Sequence, residues 1–254
     1  MSVEYRRDGR VIHVVLNAPP VNAIGHAVRA GLIGALDRIA AEGDVERVIL
    51  SGAGRAFAAG ADAREFDSDP EPPHLPDVCD RIARCDVPWI AAIHGAALGG
   101  GAELALACRY RIARPDAVIG LPEVTLGVVP GAGGTQRLPR LIGIERALDL
   151  IPAGKTVSGS NAKEIGLVDE VDDDPAGFAE MTNAEWLGMA VPVHELNSGE
   201  AGPDIFEAAR ETARTKMRGQ IAPQRAIDLI ERAMTAPFKE GMEEERATFL
   251  DLRQ

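Results

Sequence analysis

The chain has 254 residues, enough for one large domain or a core with a small appendage. Apolar residues make up 46% and aromatics only 4%, which argues against wholesale disorder and leaves Ala, Val, Leu and Ile to fill the core. A net charge of −12, from 27 basic and 39 acidic residues, argues against nucleic acid or an anionic membrane as the main partner, although a local basic patch or a helix N-terminus can still hold an anionic ligand.

The predicted elements begin with a hairpin, in which residues 3–6 meet the β-branched run 11–16 across the Asp8-Gly9 turn. Over residues 25–42, Val28, Leu32, Ile33, Leu36, Ile39 and Ala40 recur at helical spacing. Residues 45–50 read as a buried strand, with Gly52 and Gly54 as breakers after it. The stretch 67–74, Asp-Ser-Asp-Pro-Glu-Pro-Pro-His, is an acidic, proline-rich loop that either borders a site or is a surface insertion. A helix over 77–85, a strand over 88–93 and a buried helix over 102–108 follow, then strand signals at 110–113 and 117–119. Strands separated by helices predict parallel pairing through right-handed crossovers. From residue 133 the chain reads as mostly helical, with one strand-like exception at 166–171 and a polar break at 197–203. The last 50 residues predict two or three amphipathic helices that bury Leu229, Ile230, Ala233 and Phe238.

Glu103 in Gly99-Gly100-Gly101-Ala102-Glu103 and Glu123 in Gly120-Leu121-Pro122-Glu123 stand in apolar surroundings. Burial disfavours an ionised carboxylate, so two of them suggest acid–base chemistry in a dry pocket. The glycine triplet before a helix suggests backbone N–H groups left free for a developing anion. Phe57-Ala58-Ala59-Gly60-Ala61-Asp62 is a second small-residue loop at a strand end, where crevices form in α/β sheets. Gly131-Ala132-Gly133-Gly134-Thr135-Gln136 reads as flexible turn chemistry before a helix. Arg55 and Arg64 flank the second loop and read either as solvated or as ligand-phosphate contacts. The five histidines share no metal-ligand spacing, so no metal is expected, and His94 reads as a hydrogen-bonded structural residue. Cys79, Cys85 and Cys108 read as small buried thiols of a reducing compartment. With no apolar signal region over residues 1–7 and no apolar run of about 18 residues, a cytoplasmic location is expected.

Three stretches together resemble the crotonase superfamily of enoyl-CoA hydratases and isomerases: Ala56-Phe57-Ala58-Ala59-Gly60-Ala61-Asp62, residues 97–105, and the run 120–143. Ser158 to Val168 completes the motif set, and the resemblance covers the chain from about residue 3 onward. Pro20-Val21-Asn22-Ala23-Ile24 and residues 108–113 and 147–151 resemble the hydratase part of peroxisomal-type bifunctional enzymes. The resemblance implies an α/β fold, a crotonase-like ββα spiral over 1–190, with a helical region over 191–254 that mediates packing or trimer formation. It implies that Glu103 and Glu123 are the catalytic pair and that the N–H groups of Ala61 and Gly100 form the oxyanion hole. It places coenzyme A along Ala59, Gly60, Ala61, Asp62, Ala63 and Arg64, with Gly99 and Gly100 nearby. The implied reaction is hydration of trans-2-enoyl-CoA to 3-hydroxyacyl-CoA in fatty acid β-oxidation, with no cofactor beyond the CoA that the substrate carries. The alternatives are a Δ3,Δ2-enoyl-CoA isomerase or other acyl-CoA enolate chemistry, and a non-catalytic acyl-CoA module, against which the retained glutamate pair counts. A homotrimer or hexamer is implied, with a 3-hydroxyacyl-CoA dehydrogenase as fused or separate partner. The sequence stops before such a module and before the last helix expected of stand-alone members, so a shortened chain is also an expectation.

Overall fold

The computed structural model describes residues 2–62, 65 and 71–253. β1 (Val3–Asp8) and β2 (Val11–Leu16) form the antiparallel hairpin, and α1 (His26–Ala41) leads to β3 (Arg47–Gly52), which pairs parallel with β2. From there the chain repeats one unit: a strand of the first sheet, a short strand of a second sheet, then a helix. β3, β4 (Ala58–Ala59) and α2 (Leu75–Ala83) make the first such turn. β5 (Trp89–Ile93), β6 (Ala96–Leu98) and α3 (Gly100–Ala107) make the next. β7 (Tyr110–Ala113) and β8 (Val118–Gly120) then run into a 3-10 turn, Glu123–Leu126, and α4 (Gly134–Ile142). After α5 (Ile144–Leu150) come β9 (Thr156–Ser158), α6 (Gly159–Ile165) and β10 (Glu170–Val171). The first sheet has the order β1-β2-β3-β5-β7-β10 and the second β4-β6-β8-β9, so the expected ββα spiral is present.

Within the first sheet, alternate residues face two different layers. Val48, Leu50, Ala91 and Ile93 join the main core, while Ile49, Ile90 and Ile112 point the other way. That second face is covered by α7 (Pro175–Met181) and α8 (Ala184–Met189), through Ala179 and Leu187. The remaining helices are α9 (Pro203–Lys216), α10 (Ala222–Thr235) and α11 (Phe238–Leu252). α10 packs on α4 and α5, and α11 on α4 and α10. Phe206, Ala213, Ile227 and Ile230 belong to the same apolar core as Leu16, Phe57 and Leu104. Among the described residues no helix is long and apolar enough to cross a membrane.

The structure corrects several sequence expectations. The second-sheet strands β4, β6 and β9 were not anticipated, because two or three residues are too few to display a period of two. β3 runs to Gly52, its last residue, two positions past the expected end. α2 starts at Leu75, two residues before the expected position, with the His74 N–H donating to Asp77 Oδ2 at 3.2 Å and Pro76 in the first turn. α3 starts at Gly100, not at residue 102, so two of the three glycines form its first turn. The strand-like run 166–171 is reduced to β10, since Gly166 adopts a left-handed φ of 84° and caps α6. Phe238 is only half-buried, and its ring lies against the guanidinium groups of Arg137 and Arg140. Of the proline-rich loop, residues 67–70 lie outside the described residues.

Candidate active site

The turn from β6 to α3 builds the first half of the site. Gly99 has φ 54° and ψ −124°, a left-handed φ that disfavours any side chain. A Cβ there would also stand 3.2 Å from Glu123 Oε1. The Gly99 N–H donates to Gly120 O at 2.9 Å, which ties this turn to the end of β8. Gly100 is the first residue of α3, so its N–H has no partner within the helix. The β4 side brings Ala61 alongside: Ile24 N–H donates to Gly60 O at 2.9 Å, and a Cβ built on Gly100 would lie 3.9 Å from Ala61 N. Among the described residues, neither N–H is taken by a protein acceptor. Two neighbouring N–H groups of this kind, that of Gly100 at a helix N-terminus, can stabilise an anion.

Glu103 sits in the first turn of α3 and is 2% exposed. Its carboxylate does not serve its own helix. Oε1 accepts the N–H of Ala132 at 2.7 Å and of Gly134 at 2.9 Å, both from the loop before α4. Burial pushes its carboxyl above the usual range, while those two N–H groups and the Arg137 and Arg246 cations pull it back. Glu123, in the 3-10 turn, has the opposite surroundings. Its Oε2 is buried without a hydrogen-bond partner among the described residues. Burial, and then the charge of Glu103, raise it well above the ordinary value.

Both carboxylates line one cavity of about 390 Å³, together with Ala59, Gly60, Ala61, Asp62, Gly99 and Gly100. Eight of the ten residues expected at the site therefore meet in one place. Ala63 and Arg64 lie outside the described residues. Arg55 is exposed and does not border the cavity, and His94 is also outside its lining, with Nε2 3.1 Å from Gly54 O. No cysteine lines the cavity. Among the described residues no cluster of three or more His, Cys, Asp or Glu could hold a metal ion.

Sequence reasoning missed two contributions. The loop 131–136, read as flexible turn chemistry, is the holder of Glu103. α11 supplies Arg246 and Phe249 to the cavity wall, Arg253 just past its end adds to it, and the helix buries Glu245 beside it. Glu245 accepts Gly133 N–H at 2.5 Å, Thr135 N–H at 2.8 Å and the Thr135 hydroxyl at 2.5 Å. Burial and the charge of Glu103 push its carboxyl up to about 8, against those three donors. An acidic residue in an amphipathic helix reads as solvated, so nothing in the sequence marked it.

The sequence matches the family model for enoyl-CoA hydratase/isomerase over residues 6–250. The chain belongs to this family. It is 42% identical over 238 residues to a peroxisomal bifunctional enzyme of Danio rerio, covering 91% of this chain and 33% of that protein. It is 43% identical over 184 residues to a probable enoyl-CoA hydratase of Bacillus subtilis (strain 168), covering 70% of this chain and 71% of the relative. Among solved structures, an enoyl-CoA hydratase from Mycobacterium tuberculosis H37Rv superposes with a TM-score of 0.71 at 28% identity, covering 100% of this chain and 99% of that one. The chain spans about a third of the length of the peroxisomal bifunctional enzymes it matches.

Proposed function

We propose that this chain is an enoyl-CoA hydratase that adds water reversibly, in syn fashion, to trans-2-enoyl-CoA to give 3-hydroxyacyl-CoA. The observation that carries this is the unlike pair of buried carboxylates in one cavity beside two free N–H donors. Two titratable groups whose surroundings push them apart divide naturally into base and acid. Glu103, with two N–H donors on Oε1, is favoured as the ionised partner. Glu123, with a bare buried oxygen and a like charge nearby, is favoured as the proton carrier.

The thioester oxygen accepts the N–H groups of Ala61 and Gly100, which polarises the conjugated double bond. A water held between the carboxylates attacks C3 as Glu103 takes its proton, and the π pair moves onto the thioester as an enolate. The enolate collapses as C2 takes the proton of Glu123, and the pair returns to its starting state by proton exchange. One water thus supplies both the hydroxyl and, after exchange, the hydrogen. The reaction needs no cofactor beyond the CoA carried by the substrate. The loop from Ala59 to Arg64 is proposed to hold that CoA. The product has the secondary alcohol that a 3-hydroxyacyl-CoA dehydrogenase oxidises, and the bifunctional relatives support such a partner. A trimer or hexamer and a cytoplasmic location remain parts of this proposal, to be read by sedimentation and by cell fractionation.

The test follows crotonyl-CoA by the absorbance of its conjugated double bond, with wild type and Glu123→Gln. Loss of absorbance with wild type, and a fall of about 10²–10⁴-fold in the variant, is the expected result. A wild type that converts only 3-enoyl-CoA to its 2-enoyl isomer overturns the hydratase reading.

A further inference from the structure

The segment 131–135 is held from two sides. Ala132 and Gly134 give their N–H groups to Glu103 of α3, and Gly133 and Thr135 give theirs to Glu245 of α11. The two glutamates therefore grip alternate residues of the same short stretch. If either retracts, the stretch has to shift and the other loses its donors. We propose that Glu245 is a positioning residue: by fixing the backbone that holds Glu103, and by adding its own negative charge, it sets where Glu103 sits and which member of the Glu103–Glu123 pair carries the proton. This rests on the hydratase reading given above.

Several observations support a role beyond holding a turn. Glu245 is fully buried, with 0% exposure. A buried carboxylate is a costly way to hold two N–H groups, which a neutral oxygen could satisfy. Its partners are all donors. Gln136 Nε2 donates to Thr135 Oγ1 at 3.1 Å, so the Thr135 hydroxyl hydrogen is left to point at Glu245. These donors favour the ionised form, against the burial and the Glu103 charge that push the carboxyl up to about 8, so the charge grows in as pH rises toward that value. The charge is felt at the site, since Glu245 is among the groups that raise Glu123.

The elements packed around Glu245 carry the following titratable groups. α3 brings Glu103, the 3-10 turn brings Glu123, and α2 brings the buried Cys79 thiol. α4 brings the fully buried Arg137, whose Nη1 donates to Ala132 O at 2.6 Å, and Arg140, whose Nη1 donates to Gln136 O at 2.6 Å. α10 brings Arg232, which is engaged with Glu240 and Glu244 of α11, and α11 itself brings Arg246. Three carboxylates thus share the field of a few cations, and removing one charge changes the balance for the other two.

The experiment compares wild type, Glu245→Gln and Glu245→Asp. It reads kcat and KM for crotonyl-CoA against pH, together with carbon-13 NMR titration of the carboxyl carbons in glutamate-labelled protein. Gln keeps the size and removes the charge, so the alkaline limb of the pH profile should move to lower pH, with kcat down about 10–100-fold and KM little changed. Asp keeps the charge and shortens the reach, so kcat should fall while the limbs stay in place. A Glu245→Gln profile that superimposes on wild type, with only a lower melting temperature, overturns the proposal. If Glu245→Gln fails to fold, an unchanged kcat in Glu245→Asp overturns it. If wild type does not hydrate crotonyl-CoA, the reaction assignment falls by itself. The NMR experiment then still decides: unmoved Glu103 and Glu123 titrations in Glu245→Gln overturn the positioning role, and if Gln does not fold, a Glu103 carboxyl resonance in Glu245→Asp that coincides with wild type overturns it.

Discussion

The two glycine-rich loops of the site, Gly99-Gly100-Gly101 and Gly131-Ala132-Gly133-Gly134-Thr135, look alike in sequence and do opposite jobs. Each precedes or opens a helix, and each exposes backbone N–H groups. In the first loop Gly100 borders the cavity, and among the described residues its N–H has no protein acceptor. The second spends four successive N–H groups on two buried carboxylates. On the proposed function, one loop serves a transient negative charge, whereas the other is bonded to two resident carboxyl groups. Glycine content alone does not separate the two cases. The position of the nearest carboxylate does, and that position is set by α3 and α11 rather than by the loop.

This contrast can be broken from either side. The largest effect is expected from Glu103→Gln, which sets an amide against two N–H donors and removes the base. Hydration should fall by about 10²–10⁴-fold, read from crotonyl-CoA turnover. Gly100→Pro deletes the free N–H at a helix position that suits proline, and should cost about 10²–10³-fold in kcat with circular dichroism unchanged. A smaller effect concerns pH. Glu103, Glu123 and Glu245 are all raised in the folded state, so unfolding releases protons. Stability should therefore be greatest near the ordinary carboxyl range and should decline as pH rises toward about 8, the value to which Glu245 is pushed. Denaturant midpoints measured from pH 5 to 8 check this, and a midpoint that rises with pH over that range contradicts it. The smallest effect belongs to Gly100→Ala. It keeps the N–H, and the one close approach of its Cβ is to Leu75 Cδ2 at 2.7 Å, the far end of a flexible side chain, with Ile24 Cδ1 at an ordinary 3.5 Å. Turnover within about tenfold of wild type, beside a much larger loss in Gly100→Pro, isolates the N–H as the working part.

Much of the fold was legible because its longer elements carry strong periodicity. α1 and the β2–β3–β5–β7 core were readable from apolar spacing and β-branched runs. Glu103 and Glu123 were readable because a carboxylate amid Ala and Leu is out of place unless it does something. The second sheet was not legible, since β4 is two residues long and β6 three. The role of residues 131–135 was hidden for a different reason. Its partners, Glu103 and Glu245, lie about 30 and about 110 positions away in sequence, so local pattern could not connect them. Glu245 itself sits in a run of acidic residues, Glu243-Glu244-Glu245, of which it alone is buried.

α11 closes the site from far along the chain: besides Glu245, Arg253 Nη2 donates to Glu65 O at 2.6 Å across 188 residues. A ribosome delivers the parts in order. Both sheets, α3 and the carboxylate pair can be in place while residues 238–252 are still unmade. At that stage a nascent chain would hold a folded spiral whose base is gripped from one side only. The final contacts are also the most distant in sequence, and such contacts form late. On this view, activity would arrive as a separate event after the fold, timed by the emergence of one helix.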